Sequence, residues 1–111
     1  VLDLLGREDD TPHMAVIELV SAMPGQGVSS TFRFGEGFGQ LTMAIAAQRL
    51  PVRYVTPQKW KRHFSLSRDK GVSRSVASQR FPQIAPQFAR VKDDGRAEAC
   101  LIALYAKEKL I

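Results

Sequence analysis

Cysteine is nearly missing from this chain. Cys100 stands alone, which excludes an intrachain disulfide and fits a reducing, cytoplasmic compartment. No apolar run approaches the ~20 residues of a membrane span, and no secretory pattern opens the sequence, so no membrane partner is expected. Histidine is scarce too: His13 and His63 have no metal-type spacing and read as surface residues. Repeats, low-complexity tracts and signs of a second domain are all missing, so residues 1–111 read as one domain. Negative charge is in short supply. Asp and Glu number 11 against 16 Lys and Arg, a net charge of +5, and that balance favours polyanionic partners, nucleic acid first. There is no initiator Met. "VLDLLGREDD" places Val1, Leu2, Leu4 and Leu5 on one helical face, so the chain reads as beginning inside a helix, with upstream sequence expected.

The element pattern that follows is α/β. "MAVIELV", residues 14–20, is rich in Val and Ile and lies between Pro12 and "MPGQG"; it reads as a strand buried on both faces. Ser29 or Ser30 is placed to cap a helix that runs to about Leu50, where Pro51 stops it. "PVRYVTP" alternates like a short strand, and Thr56-Pro57 opens a short helix, "PQKWKRHF". A polar loop, another helix and a connection with two prolines lead to a last helix starting near Asp93 or Asp94. Ala97, Leu101, Leu104 and Tyr105 share one side of it. The glycines of "FGEGFG" sit inside a helical pattern and are expected to let that helix approach a sheet closely. Cys100, between Ala99 and Leu101, reads as an inert buried thiol.

Three features could carry chemistry. Glu18 is a carboxylate inside an apolar strand, which is costly unless a basic partner, exposure at a sheet end or a metal offsets it. Asp94 and Glu98 are i and i+4 on the last helix and share a face. Two carboxylates one turn apart can ligate a divalent ion, or they can serve as a cap and as dipole partners. Between Lys59 and Arg80 lie Lys59, Lys61, Arg62, Arg68, Lys70, Arg74 and Arg80 against Asp69 alone, with Trp60, His63 and Phe64 interleaved. That stretch either tracks phosphates or is a solvated face with Trp60 in the core.

The ordered set "AVIEL", a Pro/Gly loop, a glycine-bearing helix, "VTPQKWK", "SRDKGVSR" and "DDGRAEACLIALY" resembles the RuvC-type Holliday-junction resolvases, in particular their phage-like branch, within the RNase H-like superfamily. The resemblance implies an RNase H-like mixed sheet flanked by helices, incomplete at the N-terminus. It implies a structure-selective endonuclease acting on branched DNA with two Mg²⁺ ions, Mn²⁺ substituting, and a homodimer joined through the helix that includes Phe32 to Leu50. Carried over by motif, Glu18, Asp94 and Glu98 become catalytic metal ligands, with Asp93 the second choice for Asp94. Lys70 would lie near the scissile phosphate, and Arg68, Lys61 and Arg74 would contact the DNA backbone. The aromatic wedge of some relatives falls at Ser21 here, leaving Met23 for that role. The family's first carboxylate has no counterpart unless Asp3, Asp9 or Asp10 supplies it, so this chain is expected to be inactive by itself and to leave the strand around Ile17 without a sheet neighbour. The alternative is a non-catalytic or degenerate nucleic-acid-binding module.

Overall fold

A computed structural model describes residues 2–3, 14–20, 25–69 and 71–110, with Leu2 and Asp3 described as backbone only. Strand β2, Met14–Glu18, forms where the β-branched run predicts it, and Ala15, Val16 and Ile17 are all buried. Strand β3, Val52–Val55, lies parallel to it, with Ala15 beside Val52 and Glu18 beside Val55. Parallel strands cannot be joined by a tight turn. Helix α1, Val28–Ala47, makes the crossover. Gly27 is its N-cap and no side chain caps it, so neither Ser29 nor Ser30 has the role expected of it. Leu2–Asp3 is not helical. It forms strand β1, paired antiparallel with Met14 and Ala15. β2 therefore has a neighbour on each side and is not the open edge expected from the sequence.

The rest of the chain is helical. Helix α2, Pro57–His63, starts as read, with the Thr56 hydroxyl accepting from the Lys59 amide at 3.4 Å and Pro57 in the first turn. Gly71 has φ +85°, a backbone conformation that suits glycine, and it opens helix α3, Val72–Arg80. Two 3-10 segments follow, Pro82–Phe88 and Val91–Asp93, and then helix α4, Asp94–Lys109.

Alternate side chains of β2 point to opposite faces. Val16 joins Val55, Trp60, Ala77, Phe88, Ala97, Leu101, Ile102 and Ala106 in the larger core. Ala15 and Ile17 meet Ile45 on the other face, beside Phe38 and Leu41. Ala77 of α3 and Ala97 and Ala106 of α4 are all fully buried in the larger core. The glycines of α1 do not play the part expected of them: a Cβ on Gly35, Gly37 or Gly39 would meet nothing within 4 Å. Cys100 is half-buried against the larger core rather than enclosed by it.

This architecture corrects the fold expectation. Among the described residues the sheet is minimal and open: two short parallel strands plus the two-residue β1. A largely α-helical body surrounds it. The described residues do not form the extended mixed sheet of an RNase H-like domain, and the likeness to RuvC-type resolvases falls with it. The motifs that suggested it, a strand ending in Glu and a helix opening with acids, are local features that many β-α-β and helical arrangements share. None of the helices among the described residues is long and apolar enough to cross a membrane.

Candidate nucleic-acid interface

The end of β2, the loop after α2 and the start of α4 meet at one end of the molecule. Glu18 is half-buried there. Its Oε2 accepts a hydrogen bond from Trp60 Nε1–H at 2.6 Å, which meets part of the cost of placing a carboxylate in an apolar strand. Trp60 itself is fully buried. Asp94 accepts from Arg74 Nε at 2.7 Å, and Arg74 Nη1 also donates to the Ala89 carbonyl at 3.2 Å. Asp93 is 3% exposed and faces inward, where it accepts from the Arg90 amide at 3.0 Å and pairs with Arg90 Nη2 at 3.3 Å. The Arg90 amide holds the Asp93 carboxyl below the usual carboxylate range; burial opposes this, and the Arg90 guanidinium adds to the lowering.

Glu98 is the carboxylate that stays under stress. Burial pushes it above the usual range; Lys61 pulls it back, Glu18 and Asp94 push it further up, and a hydrogen bond with Ser73 lowers it. The three acids thus sense one another, but two are already bound, Glu18 to Trp60 and Asp94 to Arg74. Among the described residues no group of three or more His, Cys, Asp or Glu side chains could hold a metal ion. Glu18, Asp94, Glu98 and Asp93 therefore do not make the two-metal centre expected from the sequence, and the Mg²⁺-dependent nuclease reading is withdrawn with it. Asp9 and Asp10, the Asp3 side chain, and the wedge positions Ser21 and Met23 lie outside the described residues, as does Lys70.

Stability should follow these two acids in opposite directions with pH. A raised folded-state value, as at Glu98, gives stability below its ordinary 4.5 that is lost as pH rises through the folded value. Glu98→Gln is therefore expected to raise Tm at neutral pH, with the gain vanishing in acid. A lowered value, as at Asp93, gives stability above its ordinary 3.8 that is lost as pH falls through the folded value. Asp93→Asn is expected to lower Tm at neutral pH and to approach wild type in strong acid. Melting curves at neutral and acid pH check both signs; parallel pH profiles for the two variants would contradict them.

No protein-family model matches the chain, and no curated protein matches it. A groove of about 260 Å³ runs beside the acids, lined by Lys61, Ser67, Arg68, Ser73, Asp94 and Glu98 among others. Lys61 and Arg68 are exposed at it, while Lys59, Arg62 and Arg80 are exposed elsewhere in the same stretch, Arg80 towards Glu108 at the other end of α4. Of the six described basic side chains between Lys59 and Arg80, only Arg74 has a carboxylate within salt-bridge reach among the described residues. Lys61 lies 5.6 Å from the Trp60 ring centroid, and Arg80 the same distance from that of Phe64. His63 is not a bare surface residue: its Nε2 bonds Glu108 at 3.0 Å and ties α2 to α4. That bond holds the Glu108 carboxyl below its usual range.

Sequence reasoning missed the second concavity, a groove of about 400 Å³ between α1 and the end of β2. Ile17, Glu18, Arg33, Phe34, Phe38 and Leu41 are among its lining. The i,i+4 spacing of Phe34 and Phe38 was the available signal, hidden by the glycines between them.

Proposed function

We propose that the chain is a nucleic-acid-binding module that acts by binding rather than by catalysis. The observation behind this reading is the set of exposed cations from Lys59 to Arg80, of which five of the six described have no carboxylate within salt-bridge reach among the described residues. Exposed cations cost little where they stand, and they release condensed counterions when phosphates replace water around them. Lys61 and Arg68 line the groove and are the principal phosphate contacts. Arg74 is reassigned: its guanidinium is spent on Asp94 and the Ala89 carbonyl, so it positions α3 against α4 and does not bind DNA. Lys70 adds charge to the same loop by sequence.

Salt titration tests the reading. Lys61→Ala and Arg68→Ala should each lower the slope of log K against log salt on duplex DNA by about 0.9. Arg74→Ala should leave the slope alone and lower Tm. Slopes unchanged in both Lys61→Ala and Arg68→Ala would mean that this face does not touch the phosphate backbone.

A further inference from the structure

We infer that the groove between α1 and β2 holds one unstacked base of a single strand, with a flanking phosphate on Arg33; this rests on the nucleic-acid reading above. The volume of about 400 Å³ falls within the ~300–1,000 Å³ usual for small-molecule sites, ample for one base. The walls suit a flat aromatic ligand. Phe34 is 42% exposed although it lines the groove, and Phe38 is half-buried beside it. Tyr54, on β3, extends the aromatic surface, its ring 6.4 Å from that of Phe38. An ordinary core would have covered these rings; a stacking platform leaves them open.

The rim selects the ligand class. Arg33 stands at the groove with its side chain exposed and has no carboxylate within salt-bridge reach among the described residues. It is complementary to a phosphate flanking the inserted base. Glu18 is in the lining as well, but its carboxylate is turned to Trp60 on the other face of β2, so the slot meets the flat face of a base and not its edge. A purely apolar peptide side chain would leave Arg33 unused.

The test compares strands of equal length and charge: oligo-dC, oligo-dT and an abasic sugar-phosphate strand, each titrated with the whole chain by fluorescence anisotropy. Wild type should bind oligo-dC about 5-fold or more above the abasic strand, as stacking of one base on an aromatic side chain implies. Oligo-dT, which offers the same kind of flat face, should exceed the abasic strand in the same way. Phe34→Ala should abolish the preference for bases while leaving abasic affinity and the salt slope unchanged. Phe34→Trp should keep the preference and so exclude a misfolding artefact. Equal binding of dC and abasic strands by wild type would overturn the base slot and leave the cation row standing. A preference that survives in Phe34→Ala would overturn it as well. No binding to any strand would defeat the nucleic-acid reading and this inference together.

Discussion

Trp60→Ala is expected to lower the unfolding free energy by about 3–5 kcal/mol, the usual cost of truncating a large buried aromatic. Domains of this size have roughly 5–15 kcal/mol in total, so the variant sits near the edge of folding. Trp60 is fully buried and belongs to the larger core with Val16, Val55 and Leu101. It is also the donor to Glu18 at 2.6 Å. Trp60→Phe separates the two roles. The ring stays, the N–H goes, and Glu18 is left half-buried without its donor, a loss of about 1–3 kcal/mol. Urea titration of both variants checks the order, with the slope of free energy against urea unchanged from wild type. Trp60→Phe as stable as wild type would mean that water serves Glu18 as well as the indole does.

Phe88→Ala carries an effect of the same size, about 3–5 kcal/mol, for a different reason. The segment Pro82–Phe88 is 3-10 helix with Pro82 and Pro86 in it and a non-helical Ile84 at φ −119°, ψ 17°. Such segments have poor internal hydrogen bonding, so packing must hold this one. Its packing anchor is Phe88, 1% exposed, while Pro82, Gln83, Ile84, Pro86 and Gln87 are exposed. The surrounding Ala77 and Ala97 are too small to fill the space that truncation leaves. A one-kcal/mol loss shifts Tm by about 4–8 °C in domains of 60–100 residues, so a fall above roughly 10 °C is expected in a thermal scan. A shift of only a degree or two would show that something besides Phe88 fixes the segment.

Much of the helical framework was legible because it is punctuated. Pro51 follows the end of α1, Thr56-Pro57 starts α2, and the acids at 93 and 94 mark the start of α4. β2 was legible from its β-branched run. β1 was not, because Leu2, Leu4 and Leu5 fit a helix as well, and an unpaired edge of β2 captured Leu2 and Asp3 instead. The cation row was visible because charge is in the composition. The pairings that reinterpret it were not. Arg74 and Asp94 are 20 residues apart, and Glu18 and Trp60 are 42 apart. Spacing in sequence says nothing about such contacts. Two carboxylates that looked like metal ligands, Glu18 and Asp94, are the acceptors of an indole and a guanidinium.

β2 divides its side chains between two cores of unequal size, and the smaller one, Ala15, Ile17 and Ile45, is all that fastens α1 by fully buried contacts among the described residues. Along its 20 residues α1 buries only Ile45, while Phe32 and Met43 remain 71% and 69% exposed. Three interior glycines each weaken it by about 0.8–1 kcal/mol relative to alanine. The protein is therefore expected to unfold as two units that share one strand. The α1 layer should open while Trp60, Phe88 and α4 stay packed, with its amides exchanging through a local opening and those of α4 only through global unfolding. The Phe34 slot lies on the unit that opens first, and an incoming base would be met by the part of the molecule that yields at least cost.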